Sequence, residues 1–239
     1  MNTPPAHVHA AARRLFCYFA LCFTALAGNA GAQDKSLAPG VNQQFVDKPD
    51  YTAWAGSFER EGREVYDKRN EIVAASGVEP GMTVADVGAG SGLFTRLFAQ
   101  QTGAAGKVYA LDITRNFIDK IVPRLRNEGI SNVEGIVNTP KDVPLPATSV
   151  DVAFVSDTHH HFEYPQAMLR AIRAALKPGG TLVIVEFERI EGVSSKRVLE
   201  HVRAGKETVI KEVEAEGFKL IDDRKFMRQN YLVRFVKQT

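Results

Sequence analysis

Four short runs of this chain carry residue types able to do chemistry: Asp86-Val87-Gly88-Ala89-Gly90-Ser91-Gly92, Asp112-Ile113, Asn138-Thr139, and Ser156-Asp157-Thr158-His159-His160-His161. Alternating glycines strip away the Cβ atoms that keep a ligand off the backbone, so the first run reads as a docking surface for a nucleotide-type ligand. Asp112 follows about 20 residues beyond the glycines, where a carboxylate can accept both hydroxyl hydrogens of a ribose; its plain alternative is the N-cap of a helix. Histidine titrates near neutrality, so His160 or His161, or Asp157 beside them, can take a proton from an OH, NH or SH group. Any single histidine of the three could instead cap or pack beneath the next helix. No metal is expected: neighbours on a helix point roughly 100° apart, and a structural site normally needs a fourth ligand.

Spacing narrows the ligand. A dinucleotide fingerprint, Gly-x-Gly-x-x-Gly, would need glycine at the position held by Leu93, and no Gly-Lys-Ser/Thr phosphate loop ends the turn. The observed order is Gly88-x-Gly90-x-Gly92, with Asp86 before it.

Each run sits at the end of a short apolar segment. Thr83 to Val87, Lys107 to Asp112, Asn132 to Val137 and Ser149 to Val155 read as buried strands. Ligands in open α/β sheets bind outside the carboxyl ends of the strands, and that is where all four runs fall. Leu93, Phe94, Leu97 and Phe98 give the first intervening helix one apolar face, as Met168, Leu169, Ile172 and Leu176 do a later one. Pro123 should kink or interrupt the helix carrying Phe117, Ile118 and Ile121. Leu176-Lys177-Pro178-Gly179-Gly180 should form a turn before a strand at Thr181 to Phe187. Near the end, Lys219 to Phe226 and Tyr231 to Val236 read as an antiparallel hairpin.

Together the Asp86-to-Gly92 run, the Leu-Lys-Pro-Gly-Gly turn and the terminal hairpin resemble the class I S-adenosylmethionine (SAM) methyltransferases. His160-His161-Phe162 resembles their ubiquinone/menaquinone-biosynthesis type, and the likeness runs from about Val73 to Phe187. It implies an α/β, Rossmann-like fold: a seven-stranded, mostly parallel sheet in the order 3-2-1-4-5-7-6, with an antiparallel C-terminal hairpin and an N-terminal helical cap. It implies SAM held by Asp86, Gly88, Ala89, Gly90, Gly92, Asp112, Ile113, Asn138, Thr139 and Ser156, and a small-molecule acceptor facing Asp157, His160 and His161. Many relatives carry an aspartate where this chain has Asn138 or Thr139, with Asp142 displaced.

A chain of 239 residues with ordinary apolar and charged fractions suits one α/β domain. Residues 1–32 have the layout of a secretory signal: Arg13-Arg14, an uncharged run from Leu15, and small residues ending at Ala32. The arginine pair resembles a twin-arginine signal, and an uncleaved membrane anchor is the rival. Either places the domain outside the cytoplasm, in a bacterial periplasm. Cys17 and Cys22 both lie in that run, so the mature chain would lack thiols. Losing Arg13 and Arg14 takes the formal charge from +2 to zero, which argues against a nucleic-acid partner. Residues 33–50 read as a linker or lid, and residues 51–78 as a helical cap, in which Arg60, Arg63 or Tyr66 could meet the ligand or the acceptor. An exported SAM-binding module without transfer activity, or an NAD(P)-dependent oxidoreductase, are the other readings.

Overall fold

The computed structural model describes residues 1–3, 35–47 and 49–238. The elements described below all fall within one compact unit. The expected export segment lies outside the described residues apart from its first three. Among the described residues, no helix is long and apolar enough to cross a membrane.

Seven strands form one sheet: β1 (Thr83–Val87), β2 (Lys107–Asp112), β3 (Val133–Val137), β4 (Val150–Ser156), β5 (Leu176–Phe187), β6 (Phe218–Arg224) and β7 (Asn230–Lys237). Their order is β3-β2-β1-β4-β5-β7-β6. The first five run parallel, while β7 pairs antiparallel with both β5 and β6. This is the order and hairpin expected from the sequence.

Strands covered on both faces must be apolar almost throughout, and β1 is buried from Val84 to Val87. One face packs Val84, Val108, Phe154 and Val183 against Ile72 of α4 (Arg69–Ser76) and Phe94 and Phe98 of α5 (Leu93–Thr102). The other packs Ala85, Ala153, Leu182 and Ile184 against Met168, Leu169 and Ile172 of α7 (Pro165–Ala175) and Val209 and Val213 of α9 (Lys206–Ala215). The period-two alternation of the strands thus feeds two separate apolar layers.

Two local expectations change. Helix α6 (Arg115–Asn127) runs unbroken through Pro123. An interior proline costs about 3 kcal/mol. Burial of Phe117, Ile118, Ile121 and Leu125 on one face opposes that cost, at about 1.5–3 kcal/mol for each fully buried side chain. Strand β5 begins at Leu176 rather than Thr181. The Lys177-Pro178-Gly179-Gly180 turn survives as an irregularity within it, since Leu176 pairs with Val150 and Thr181 already pairs with Val152.

The N-terminal part supplies α1 (Gln43–Asp47), α2 (Tyr51–Phe58) and α3 (Glu64–Asp67). Phe45 packs at a tilt against Trp54, 4.6 Å between ring centroids, and Trp54 stacks on Phe58 at 5.6 Å. Tyr51 donates its hydroxyl to the Ser91 carbonyl at 2.9 Å, and Arg124 of α6 donates to the same oxygen at 2.9 Å. The cap helices are therefore fastened to the glycine turn itself. A short α8 (Lys196–His201) stands across from them.

Candidate active site

A cavity of about 1030 Å³ opens at the carboxyl ends of β1, β2 and β4. Asp86, Gly88, Ala89, Gly90, Asp112, Ile113, Asn138, Ser156, Asp157, His160 and His161 all line it. Two residues expected at the ligand stand apart from the wall. Thr139 is exposed and bridges to Asp142 in its own turn, with Pro140 reaching the cavity instead. Gly92 packs beneath the turn, where an added Cβ would meet Ile121 of α6 at 2.9 Å.

The glycine turn acts through space more than through donors. Gly88 and Ala89 both give their N–H groups to the Leu111 carbonyl at 2.8 Å, and Gly90 gives its own to Asp112 Oδ2 at 3.0 Å. At Gly88 the backbone has φ +79°, and a Cβ there would lie 2.3 Å from Thr158 Cγ2. At Gly90, φ +56°, it would lie 3.3 Å from the Phe58 ring. At Gly88 glycine alone satisfies both the left-handed conformation and the clearance, while at Gly90 the positive φ is the stronger demand.

Asp112 is no helix cap: its Oδ1 accepts the Thr114 N–H at 2.8 Å, and the N-cap position of α6 is Thr114. Burial raises its carboxyl above the ordinary value, opposed by the hydrogen bonds from Thr114 and Gly90. Asp86 accepts from Thr95 Oγ1 at 2.6 Å. Burial, against that hydrogen bond and with help from the nearby Asp112 charge, pushes its carboxyl up to about 7. Three buried oxygens on lining residues have no partner among the described residues: Thr114 Oγ1, Asn138 Oδ1 and Ser156 Oγ. Buried polar atoms demand partners, so this half of the wall is made for a polar ligand.

The opposite half is assembled from side chains. Asp157 has φ +46° and is held on both oxygens, by Arg63 Nη2 at 2.5 Å and by Asn230 Nδ2 at 2.9 Å. Burial pushes its carboxyl up to about 6, with Arg63 pulling the other way. Of the cap residues singled out from sequence, Arg63 makes this pair, Arg60 lines the cavity, and Tyr66 lies beneath the Arg69 guanidinium.

The three adjacent histidines form a 3₁₀ turn, His159–His161, and part company. His159 turns away from the cavity toward Glu212, 3.8 Å off, and burial takes it down to about 4. His160 puts Nδ1 2.8 Å from Glu186 Oε2, which also accepts the His160 backbone N–H at 3.2 Å. Burial works against a charged His160, but the Glu186 carboxylate outweighs it and holds the imidazole above its ordinary value. His161 is driven to about 3 by burial and by neighbouring His160 and His201, and its buried Nδ1 has no partner among the described residues.

Sequence reasoning missed Glu186, His201, Asn230 and the pair Asn42 and Phe45. Asn42 donates to the His161 carbonyl at 3.0 Å, and the Phe45 ring meets the His161 ring edge-on at 5.4 Å. A buried glutamate ending an apolar strand was the one readable signal among them.

Known proteins resemble this chain in sequence and fold. Residues 85–184 match the family described as a methyltransferase domain. A solved SAM-dependent methyltransferase from Aquifex aeolicus superposes with a TM-score of 0.70 at 24% identity, over 78% of this chain and 98% of that one. The [4+2]-cyclase SpnF superposes at 0.63 with 18% identity, over 76% and 85%. The fold is therefore the Rossmann-like class I methyltransferase fold. Within that class, the ubiquinone/menaquinone biosynthesis C-methyltransferases UbiE of Cupriavidus taiwanensis and Escherichia fergusonii are 30% and 33% identical over 118 residues, 49% of this chain. The chain spans about half the length of these curated relatives, 48% and 47%.

Proposed function

We propose that this chain is a SAM-dependent methyltransferase acting on a small-molecule acceptor. The observation that carries the reading is the polar half of the cavity. A glycine turn with no room for side chains faces the buried Asp112, and three unpartnered oxygens ring the same space. Asp112 keeps lone pairs for ribose hydroxyls; Asn138 and Ser156 offer polar contacts to the adenine and amino-acid ends; Asp86 and Thr95 brace the turn between them.

When bound, SAM supplies an already activated methyl group, so the chain's own work is alignment and proton handling. Phe45, Trp54 and Phe58 give the cavity an aromatic wall. Asp157, gripped by Arg63 and Asn230, positions the β4 end; His160 and His161 are the side chains left to receive the acceptor's proton. A neutral mature chain and an aromatic cavity favour a small organic acceptor over nucleic acid. We place the domain outside the cytoplasm on the strength of the Arg13-Arg14 segment and its uncharged run, which cell fractionation tests.

Calorimetric titration of the full chain with SAM and S-adenosylhomocysteine tests the ligand. Release of S-adenosylhomocysteine with a panel of quinols, phenols and thiols tests transfer. Binding of both compounds without release by any acceptor would favour the reading as a SAM-binding module. SpnF, described as a cyclase, carries the same sheet.

A further inference from the structure

His160, His161 and His201 come from two separate segments, yet each offers a ring nitrogen within 4.8 Å of the other two. Their ring centroids lie 4.2 Å apart for His160 and His161, 4.9 Å for His160 and His201, and 5.1 Å for His161 and His201. Adjacency along the turn was the argument against a metal site. The turn is 3₁₀ rather than α, and the missing member arrives from α8, forty positions away.

The geometry points to a three-histidine site for a divalent transition metal, with zinc the best match, at the acceptor end of the cavity. Imidazole nitrogens suit zinc, and three protein ligands with an open fourth position are the arrangement of catalytic rather than structural zinc. Zinc holds such nitrogens at about 2.0–2.1 Å, so three that already cluster need only small ring movements to close around an ion.

Two further observations support a built site. Glu186, fully buried, takes the Nδ1 side of His160 and leaves Nε2 for a ligand. A carboxylate behind a histidine is the usual partner that fixes a metal-binding imidazole in its tautomer and orientation. His161 Nδ1 is buried with no partner among the described residues, an arrangement that costs free energy unless something fills it. All three histidines line the cavity, so the ion's open position would face the space left for the acceptor. On the proposed transfer reading, an acceptor with an oxygen or sulfur donor would bind there and lose its proton more easily to solvent, His160 and His161 then serving as ligands in the metal-loaded form and as proton acceptors only without it. Metal binding itself does not depend on that reading.

The test is a zinc titration of the untagged full chain, stripped with a chelator and assayed in competition with a chromophoric chelator. SAM and acceptor are both left out. A His7→Ala/His9→Ala background removes the two histidines near the start of the sequence and leaves His159, turned toward Glu212, as the one other histidine besides the three proposed ligands. One zinc per chain is expected in that background, and cobalt should give the intense visible bands of a four-coordinate site. His201→Ala, an exposed position on a short helix, should abolish the stoichiometric site while the circular dichroism spectrum stays unchanged. Glu186→Gln should weaken zinc by about 10- to 100-fold. No zinc bound in the double-alanine background, or equal affinity after His201→Ala, overturns the site. Either result leaves SAM binding, measured separately, to stand or fall by itself.

Discussion

The two halves of the cavity are made differently. On the β1–β2 side the wall is backbone: a turn of positive-φ glycines whose amides are satisfied by Leu111 and Asp112 within about two dozen residues of sequence. On the β4–β5 side it is side chains drawn from Asn42, Arg63, Asp157, Glu186, His201 and Asn230, spread over most of the chain. A ligand shared by many proteins can be held by a rigid backbone shape. An acceptor particular to one protein is fitted by replaceable side chains on lids and loops.

The sharpest way to break this contrast is Gly88→Ala. The methyl group would collide with Thr158 in a left-handed conformation, and SAM affinity should fall by about a hundredfold or more in calorimetry. Adding Thr158→Ala should restore part of the loss, the remainder being backbone strain. If Gly88→Ala binds SAM normally, the backbone half is not the binding half.

Asp112→Ala comes next. It removes an acceptor from two backbone N–H groups as well as from the ribose, and should weaken SAM by about 10- to 100-fold without touching the His160–Glu186 pair.

On the side-chain half, Arg63→Ala leaves Asp157 buried beside Glu186 without its cation. The cost should be roughly 1–3 kcal/mol of stability, with little effect on SAM affinity. The pH dependence has a definite sign. The folded Asp157 carboxyl sits near 6 against an ordinary 3.8, so the native state holds the extra proton in that window and loses stability as pH rises through it. Without Arg63 the folded value climbs further. Thermal unfolding should therefore show the variant's deficit growing from about pH 5 to about pH 8. A deficit that shrinks with rising pH would contradict the burial argument.

The smallest expected signal is optical. Trp54 is the sole tryptophan and lines the cavity, so SAM should change the intrinsic fluorescence, while Trp54→Phe should alter affinity by no more than a few-fold.

The same contrast explains what could be read from sequence. The strand-glycine-helix unit and Asp112 were legible because their geometry is local: residue types that tolerate positive φ, at fixed spacing after an apolar run. The terminal hairpin was read from two apolar runs around a short polar turn, and the sheet order followed from the family resemblance. Thr139 was misplaced because a single residue decides which side of a turn faces inward, and Pro140 took that place. Pro123 was read by its local preference, which tertiary packing of α6 overrode. Residues 33–50 looked polar and featureless, yet Asn42 and Phe45 from that stretch meet His161, since side chains contributed singly leave no period. His201 was invisible for the same reason, and Glu186, readable as a glutamate ending an apolar strand, did not announce its partner 26 positions away.

Strand β7 is the last element among the described residues but lies inside the sheet, between β5 and β6. The residues leading into it give three consecutive backbone N–H groups, from Arg228, Gln229 and Asn230, to the Glu64 carboxylate at 2.6–2.9 Å. Without β7 the chain would hold an open sheet edge at β5 and an Asp157 lacking its Asn230 clasp. Removing Asn230–Lys237 should therefore yield an aggregating species rather than a weakened enzyme.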